Sequence, residues 1–263
     1  MRLSFIVIMT ICLALAATPC TARHHVILFG TDAKPPQSWS KDCKPKGIFI
    51  DILHAIEMRT DLIFDIHLCP WKRAYLYAKE GRGGIFGLSK TAARLLLFDY
   101  SAPVFTDEIC LVTLKGKELP YHSIQDLKGK TIGITRGATY GKAFDKAAGT
   151  LFSCCCDADP TIRLRMLLAG RTDAAMIGPG YAALHHLTQN DPCLKAHTNK
   201  FVLLDTPFSH DLNYIGFHKS MHQDAVLSII NQTIRVLHDD GTIAQIIQKY
   251  QNFETSPQPT PHF

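Results

Sequence analysis

Only two tryptophans occur in this chain of 263 residues, and no local catalytic signature is present. There is no Gly-x-Ser-x-Gly elbow, no His-Glu-x-x-His pair and no P-loop, so the activated nucleophile, zinc site or phosphate cradle that such patterns build has no local basis. Gly137 to Gly141 has the wrong spacing for a dinucleotide fingerprint. No cysteine pair has the spacing of a structural zinc site. Charge of one sign is not in large excess either. Twenty-eight Lys and Arg face 23 Asp and Glu, a formal net charge of +5, and the basic residues are dispersed. A nucleic-acid footprint is therefore not expected. At 46% hydrophobic residues the chain is no disordered polyampholyte, and its glycines are too few for a collagen.

Past the N-terminus no run is long and apolar enough to span a bilayer. Residues 1–22, MRLSFIVIMTICLALAATPCTA, carry one basic residue, Arg2, then an apolar stretch from Phe5 to Ala17 and a small-residue end at Cys20-Thr21-Ala22. This is the pattern of a secretory signal. Its removal leaves 241 residues with a net charge of +4. Export implies an oxidising compartment, where disulfides persist. Seven cysteines remain, Cys43, Cys69, Cys110, Cys154, Cys155, Cys156 and Cys193, an odd number that cannot all pair internally. Cys43 with Cys69, and one of the triplet with Cys193, are the expected disulfides. The rival is a metal held by the triplet with His185 and His186, but consecutive thiols fit a tetrahedral site poorly.

Hydrophobic periodicity divides the chain into alternating elements. HHVILFG (24–30) reads as a strand, and the Pro- and Lys-rich segment after it as a loop. Ile48, Ile52, Ala55 and Ile56 fall on one side of a helix. LIFDIHL reads as a strand, and a second helix opens at Pro70 and stops at Gly81. GIFGL is a third strand. From Leu127 a similar set begins: strand, helix after Arg136, helix over 161–168, strand, helix from Gly178, strand. Two extended crossings, around Phe105–Thr113 and Thr206–Ile215, separate the sets. Helices over 222–237 and 241–250 and a Pro-rich, disordered tail over 253–263 close the chain. The expected fold class is α/β, with two lobes, each a mostly parallel sheet flanked by helices, joined by a two-strand hinge. Residues 23–108 and 210–252 form lobe 1, and 109–209 form an inserted lobe 2. Ligands of such sheets sit at the carboxyl ends of strands, here in a cleft that closes.

Five segments, in order, carry a resemblance. They are GIFIDILHAI, PWKRAY, TAARLLLFDYSAPVF, LKGKTIGITRGATYG and LLAGRTDAAMIG. Together they resemble the family 3 extracellular solute-binding proteins, the periplasmic receptors of amino-acid importers with the type 2 periplasmic-binding fold. PWKRAY resembles a subgroup with Pro-Trp-x-Arg. The resemblance spans roughly residues 26 to 250. It implies a monomer in the periplasm that binds a small carboxylated solute, an amino acid or related organic anion, for an ABC transporter membrane permease. No cofactor and no enzymatic step are implied.

The same resemblance assigns candidate binding residues. Arg94 would hold the solute's carboxylate, since a guanidinium offers a rigid bidentate fork at any relevant pH; the alternative is an Arg that only stabilises its lobe. Ser89 and the backbone at Gly87 would meet the solute's polar end. Gly137 and Thr139 lie where the second lobe turns from strand into helix, where free N–H groups favour an anion and Thr also caps helices. Arg136 is a second candidate cation. Trp39 is a candidate lid in a polar loop; Trp71 and Arg73 belong to core or cleft. Asp32 would bind an amine or close a turn.

One departure stands out. Many amino-acid receptors carry an acid for the ligand's amine five residues after the Asp of the Gly-Arg-x-Asp segment, and here Asp173 plus five is Gly178. Gly178 then leaves space for a bulkier group, or the ligand is not an α-amino acid. Gly83 likewise stands where relatives commonly have Asp. With Arg94, Arg73 and Arg136 near the cleft, an anionic solute is favoured. A second reading is a ligand-sensing or protein-interaction module on the same fold with a degenerate pocket.

Overall fold

The computed structural model describes residues 23–204 and 206–251. The leader expected over 1–22 and the tail expected over 253–263 lie outside the described residues. β1 (His24–Thr31) lies between two parallel neighbours, β5 (Leu62–Cys69) and β6 (Gly84–Leu88). Strands enclosed on both faces need apolar residues in succession, and β1 supplies Leu28 and Phe29. The two belong to different cores, Leu28 with α1 (Ile48–Glu57) and Phe29 with α2 (Trp71–Lys79). Adjacent residues of a strand point to opposite faces, so one strand feeds both. α1 buries Ile48, Phe49, Ile52, Leu53 and Ile56. It starts after Gly47 at φ 130°, where a Cβ would stand 2.4 Å from the Gln37 carbonyl oxygen. α2 starts after Pro70 and ends before Gly81, which takes the left-handed φ of 70° expected of a helix stop.

Between β1 and α1 the structure differs from the expected loop. β2 (Ala33–Lys34), β3 (Ser38–Lys41) and β4 (Lys44–Lys46) form a small antiparallel sheet, with Trp39 opposite both Ala33 and Lys46. Its strands are too short and too polar to show a period of two.

After α3 (Ala92–Leu95) and β7 (Phe98–Tyr100) comes the ten-residue β8 (Phe105–Leu114). The second set of elements follows: β9 (Thr131–Thr135), α4 (Lys142–Ala147), β10 (Ser153–Asp157), α5 (Pro160–Leu168), β11 (Ala174–Ile177), α6 (Gly180–Asn190), α7 (Pro192–Lys195) and β12 (Phe201–Leu203). β13 (Ser209–His218) returns, and α8 (Asp224–Asp239) and α9 (Thr242–Gln251) pack back on α1. One continuous path of strands runs β10-β9-β11-β8-β13-β6-β1-β5. The same alternation seen in β1 recurs here. Leu111 and Ala174 point into a core with Phe144 and Phe152, while Val112 and Ala175 point into one with Leu164 and Leu187.

Three expectations need correction. The sheets are mixed rather than mostly parallel, because β8 and β13 run antiparallel to all their partners. The helix expected straight after Arg136 begins only at Lys142; residues 136–141 form a turn in which Ala138 N–H donates to the Thr135 carbonyl. All seven described cysteines are free thiols, so neither Cys43–Cys69 nor a triplet–Cys193 disulfide is formed. Cys43 sits on the exposed turn between β3 and β4, whereas Cys69 ends β5 inside the main sheet. The triplet lies along β10 and Cys193 in α7, and both elements pack on α5.

Leu53 has no exposed surface. Leu53→Ala should cost about 2–5 kcal/mol, read as a lower urea midpoint at unchanged slope.

Candidate functional site

A cavity of about 80 Å³ lies between β1, β2 and β6 on one side and β9, β11 and the start of α5 on the other. At 10–15 Å³ per water on this measure, it has room for on the order of half a dozen waters, the scale of a small solute. Trp71, Gly87, Ser89, Arg94, Thr139 and Gly178 line it, so six of the eleven sequence candidates come together.

Arg94 is 4% exposed. Thr91 caps α3 by accepting from the Arg94 backbone N–H at 3.2 Å, which fixes where the side chain starts. Nη1 donates to both the Ser89 carbonyl and Ser89 Oγ at 3.1 Å. The guanidinium lies 5.2 Å from the Tyr75 ring centre and 5.9 Å from that of Trp71, within cation–π range. Among the described residues, Nε and Nη2 make no hydrogen bond. The side chain is thus oriented by one nitrogen and two aromatic rings, with donors to spare. Gly87, at φ 73°, lets the β6 backbone turn beside it. Gln37 Nε2 donates to Asn213 Oδ1 at 2.8 Å, tying the β2–β3 turn to β13.

Arg163, on the helix expected over 161–168, is a second buried guanidinium of the wall. Its donors are largely used. Nε and Nη2 hold the two oxygens of Asp157 at 2.9 and 2.6 Å, Nη1 donates to the Met176 carbonyl, and Nη2 also reaches Thr135 Oγ1. This fork welds α5 to β9, β10 and β11.

The acidic groups come from the crossing strands. Asp107 of β8 and Asp211 of β13 are direct cross-strand partners. Lys34 of β2 donates from Nζ to Asp107 Oδ2. Asp107 is fully buried, and its Oδ1 has no hydrogen-bond partner. Burial pushes the Asp107 carboxyl above its ordinary range, with Lys34 opposing. Asp211 is raised for the same reason, again with Lys34 opposing. Burial disfavours the Lys34 ammonium, yet Asp107 and then Asp211 hold its pKa above the ordinary lysine value. Gly178 adjoins this group. A Cβ there would lie 2.5 Å from Ile109 Cδ1 and 3.2 Å from both Asp107 oxygens. Gly178 lines the cavity, and a side chain leaving it would run toward Ile109 and Asp107.

Five candidates lie away from the cavity lining. Asp32 and Arg73 are near neighbours of each other; burial raises the Asp32 carboxyl and Arg73 opposes it. Arg136 is exposed and donates to the Cys156 carbonyl at 3.4 Å. The Gly137 carbonyl accepts from Trp71 Nε1 at 3.3 Å. Trp39 packs edge-on against His186 of α6, at 4.9 Å between ring centres, and against Tyr250 of α9 at 6.0 Å. These rings border a separate groove. Among the described residues no group of three His, Cys, Asp or Glu is placed to hold a metal ion, and no helix is long and apolar enough to cross a membrane.

The model of the bacterial extracellular solute-binding proteins, family 3, matches residues 27–253. The chain belongs to this family. The L-cystine-binding protein TcyJ of Escherichia coli strain K12 is 25% identical over 153 residues, 58% of this chain and 53% of TcyJ, so the match spans about half of that relative. Among solved structures, an ancestral arginine-binding protein bound to glutamine superposes with a TM-score of 0.72 at 23% identity, covering 87% of this chain and 98% of that one. A histidine kinase sensor domain with similarity to periplasmic binding proteins reaches 0.75 at 18% identity, covering 88% and 97%. Both likenesses concern the fold.

Two outcomes test the reading of these side chains. Arg163→Ala leaves Asp157 buried without its partner and should cost about 3–5 kcal/mol in a denaturant titration. Burial holds the His186 pKa below the ordinary value, with His185 and Lys41 adding to the shift. A depressed histidine adds stability while neutral and loses it as pH falls through the ordinary histidine range and below. His186→Phe should therefore gain melting temperature relative to the parent on acidification, and a constant difference would refute the assignment.

Proposed function

We propose that the chain is a periplasmic receptor that holds a small carboxylated solute, an amino acid or related organic anion, between two lobes and hands it to the membrane permease of an ABC importer. Residues 23–108 with 210–252 make one lobe and 109–209 the other, and the paired strands β8 and β13 act as the hinge. The resemblance of Pro70-Trp71-x-Arg73 to one subgroup fits a cavity that Trp71 lines.

The observation that carries this reading is Arg94. It is buried at the cavity, oriented by Ser89 and two aromatic rings, and keeps Nε and Nη2 uncommitted. A buried guanidinium with unused donors is strongly stabilised by a bidentate carboxylate. Ala138, Thr139 and Tyr140 of the turn line the same cavity from the other lobe. Held from both sides, a solute stabilises the closed arrangement by its differential affinity for it. Asp32, Trp39, Arg73 and Arg136 stand apart from this contact and serve the cavity's surroundings.

Arg94→Ala should lose most of the calorimetric affinity for small carboxylates and keep a melting temperature close to the parent's. Unchanged affinity in a folded variant would refute the role of Arg94. A carboxylate panel that leaves the parent's melting temperature unmoved would favour the sensing or interaction module, because a solute binding only the folded state must raise it.

A further inference from the structure

The acid pair at the cavity already has a cation of the chain's own. Asp107 and Asp211 are direct partners in the antiparallel β8–β13 ladder, so their side chains share one face. Like charges in that position repel. Lys34 answers both: it donates to Asp107 Oδ2, and its charge acts on Asp211. An ammonium has three donors, and among the described residues Lys34 Nζ makes one hydrogen bond while lining the cavity. Asp211, the acid among the lining residues, stands near Arg94 as well as Lys34. Arg163 is taken by Asp157. Position 178 is a glycine and supplies no further acid; a Cβ there would stand 3.2 Å from both Asp107 oxygens. The balance is uneven: a solute's carboxylate finds free donors on Arg94, while a solute's ammonium finds Asp107 already paired with Lys34 and only Asp211 lining the cavity, itself facing Lys34 and Arg94.

We propose that Lys34 stands in place of the solute's ammonium, so that this site takes small carboxylates carrying a neutral oxygen acceptor on the α-carbon, 2-oxo and 2-hydroxy acids, in preference to α-amino acids. The carboxylate rests on Arg94, as in the function proposed above, and the remaining Lys34 donors meet the α-oxygen. Lys34 is then the specificity-determining residue of the site.

Matched pairs test this by calorimetry: pyruvate and lactate against L-alanine, 2-oxoglutarate against L-glutamate, and phenylpyruvate against L-phenylalanine. In the parent protein the oxygen-bearing member of a binding pair should be tighter by about tenfold or more. Lys34→Met should narrow or reverse that ratio by a similar factor. Lys34→Gln keeps a donor for Asp107 and serves the same purpose if the methionine variant does not fold. A parent that prefers the amino acid, or a ratio unmoved in the folded Lys34 variant, overturns the proposal and leaves the Arg94 reading standing. If no member of any pair binds, the carboxylate reading itself fails and this proposal falls with it.

Discussion

The pairing of β8 with β13 is the constraint on which the rest of the molecule depends. Each strand has ten residues and divides its length between partners. β8 pairs with β13 over Phe105–Ile109 and with β11 and β12 from Cys110 onward. β13 pairs with β8 over Ser209–Asn213 and with β6 and β7 afterwards. The shared ladder places Phe105 in one core and Ile109 in another, and its register brings two carboxylates side by side. Separate strands could keep those acids apart. A ladder that joins both halves cannot, and a lysine from a third element is what makes the arrangement tolerable.

Two buried guanidiniums in one cavity show how differently the same side chain can be employed. Arg163 spends its donors on Asp157, Thr135 and the Met176 carbonyl. Arg94 spends one nitrogen on Ser89 and leaves the others unengaged. Burial and charge do not separate the two. Counting hydrogen bonds against the five donors available does.

The legible part of the sequence was local. The apolar stripes of α1, α2, α8 and α9 and the Pro and Gly at the ends of α2 mark their helices within a few residues. Ser89 and Arg94 lie five residues apart in one recognisable segment, so their meeting needs only a short turn. Lys34, Asp107 and Asp211 are 73 and 104 residues apart along the chain, and nothing in their neighbourhoods gives the register that unites them. Arg163 resembles any polar residue of an amphipathic helix until Asp157 is placed beside it. The cysteine triplet hid the strand β10, because three small residues in a row show no alternation. Thr139 enters the cavity from a turn, although the sequence pattern placed it at a helix start.

The scarcity of tryptophan has an optical consequence. Trp71 precedes β8 in the chain and donates to the Gly137 carbonyl, which follows it; Trp39 likewise packs on His186. Each of the two indoles therefore touches both of the segments that β8 separates. Any motion that parts those segments exposes both rings to water. The unlabelled protein carries its own pair of emission probes, one at the cavity and one at the separate groove beside α6 and α9.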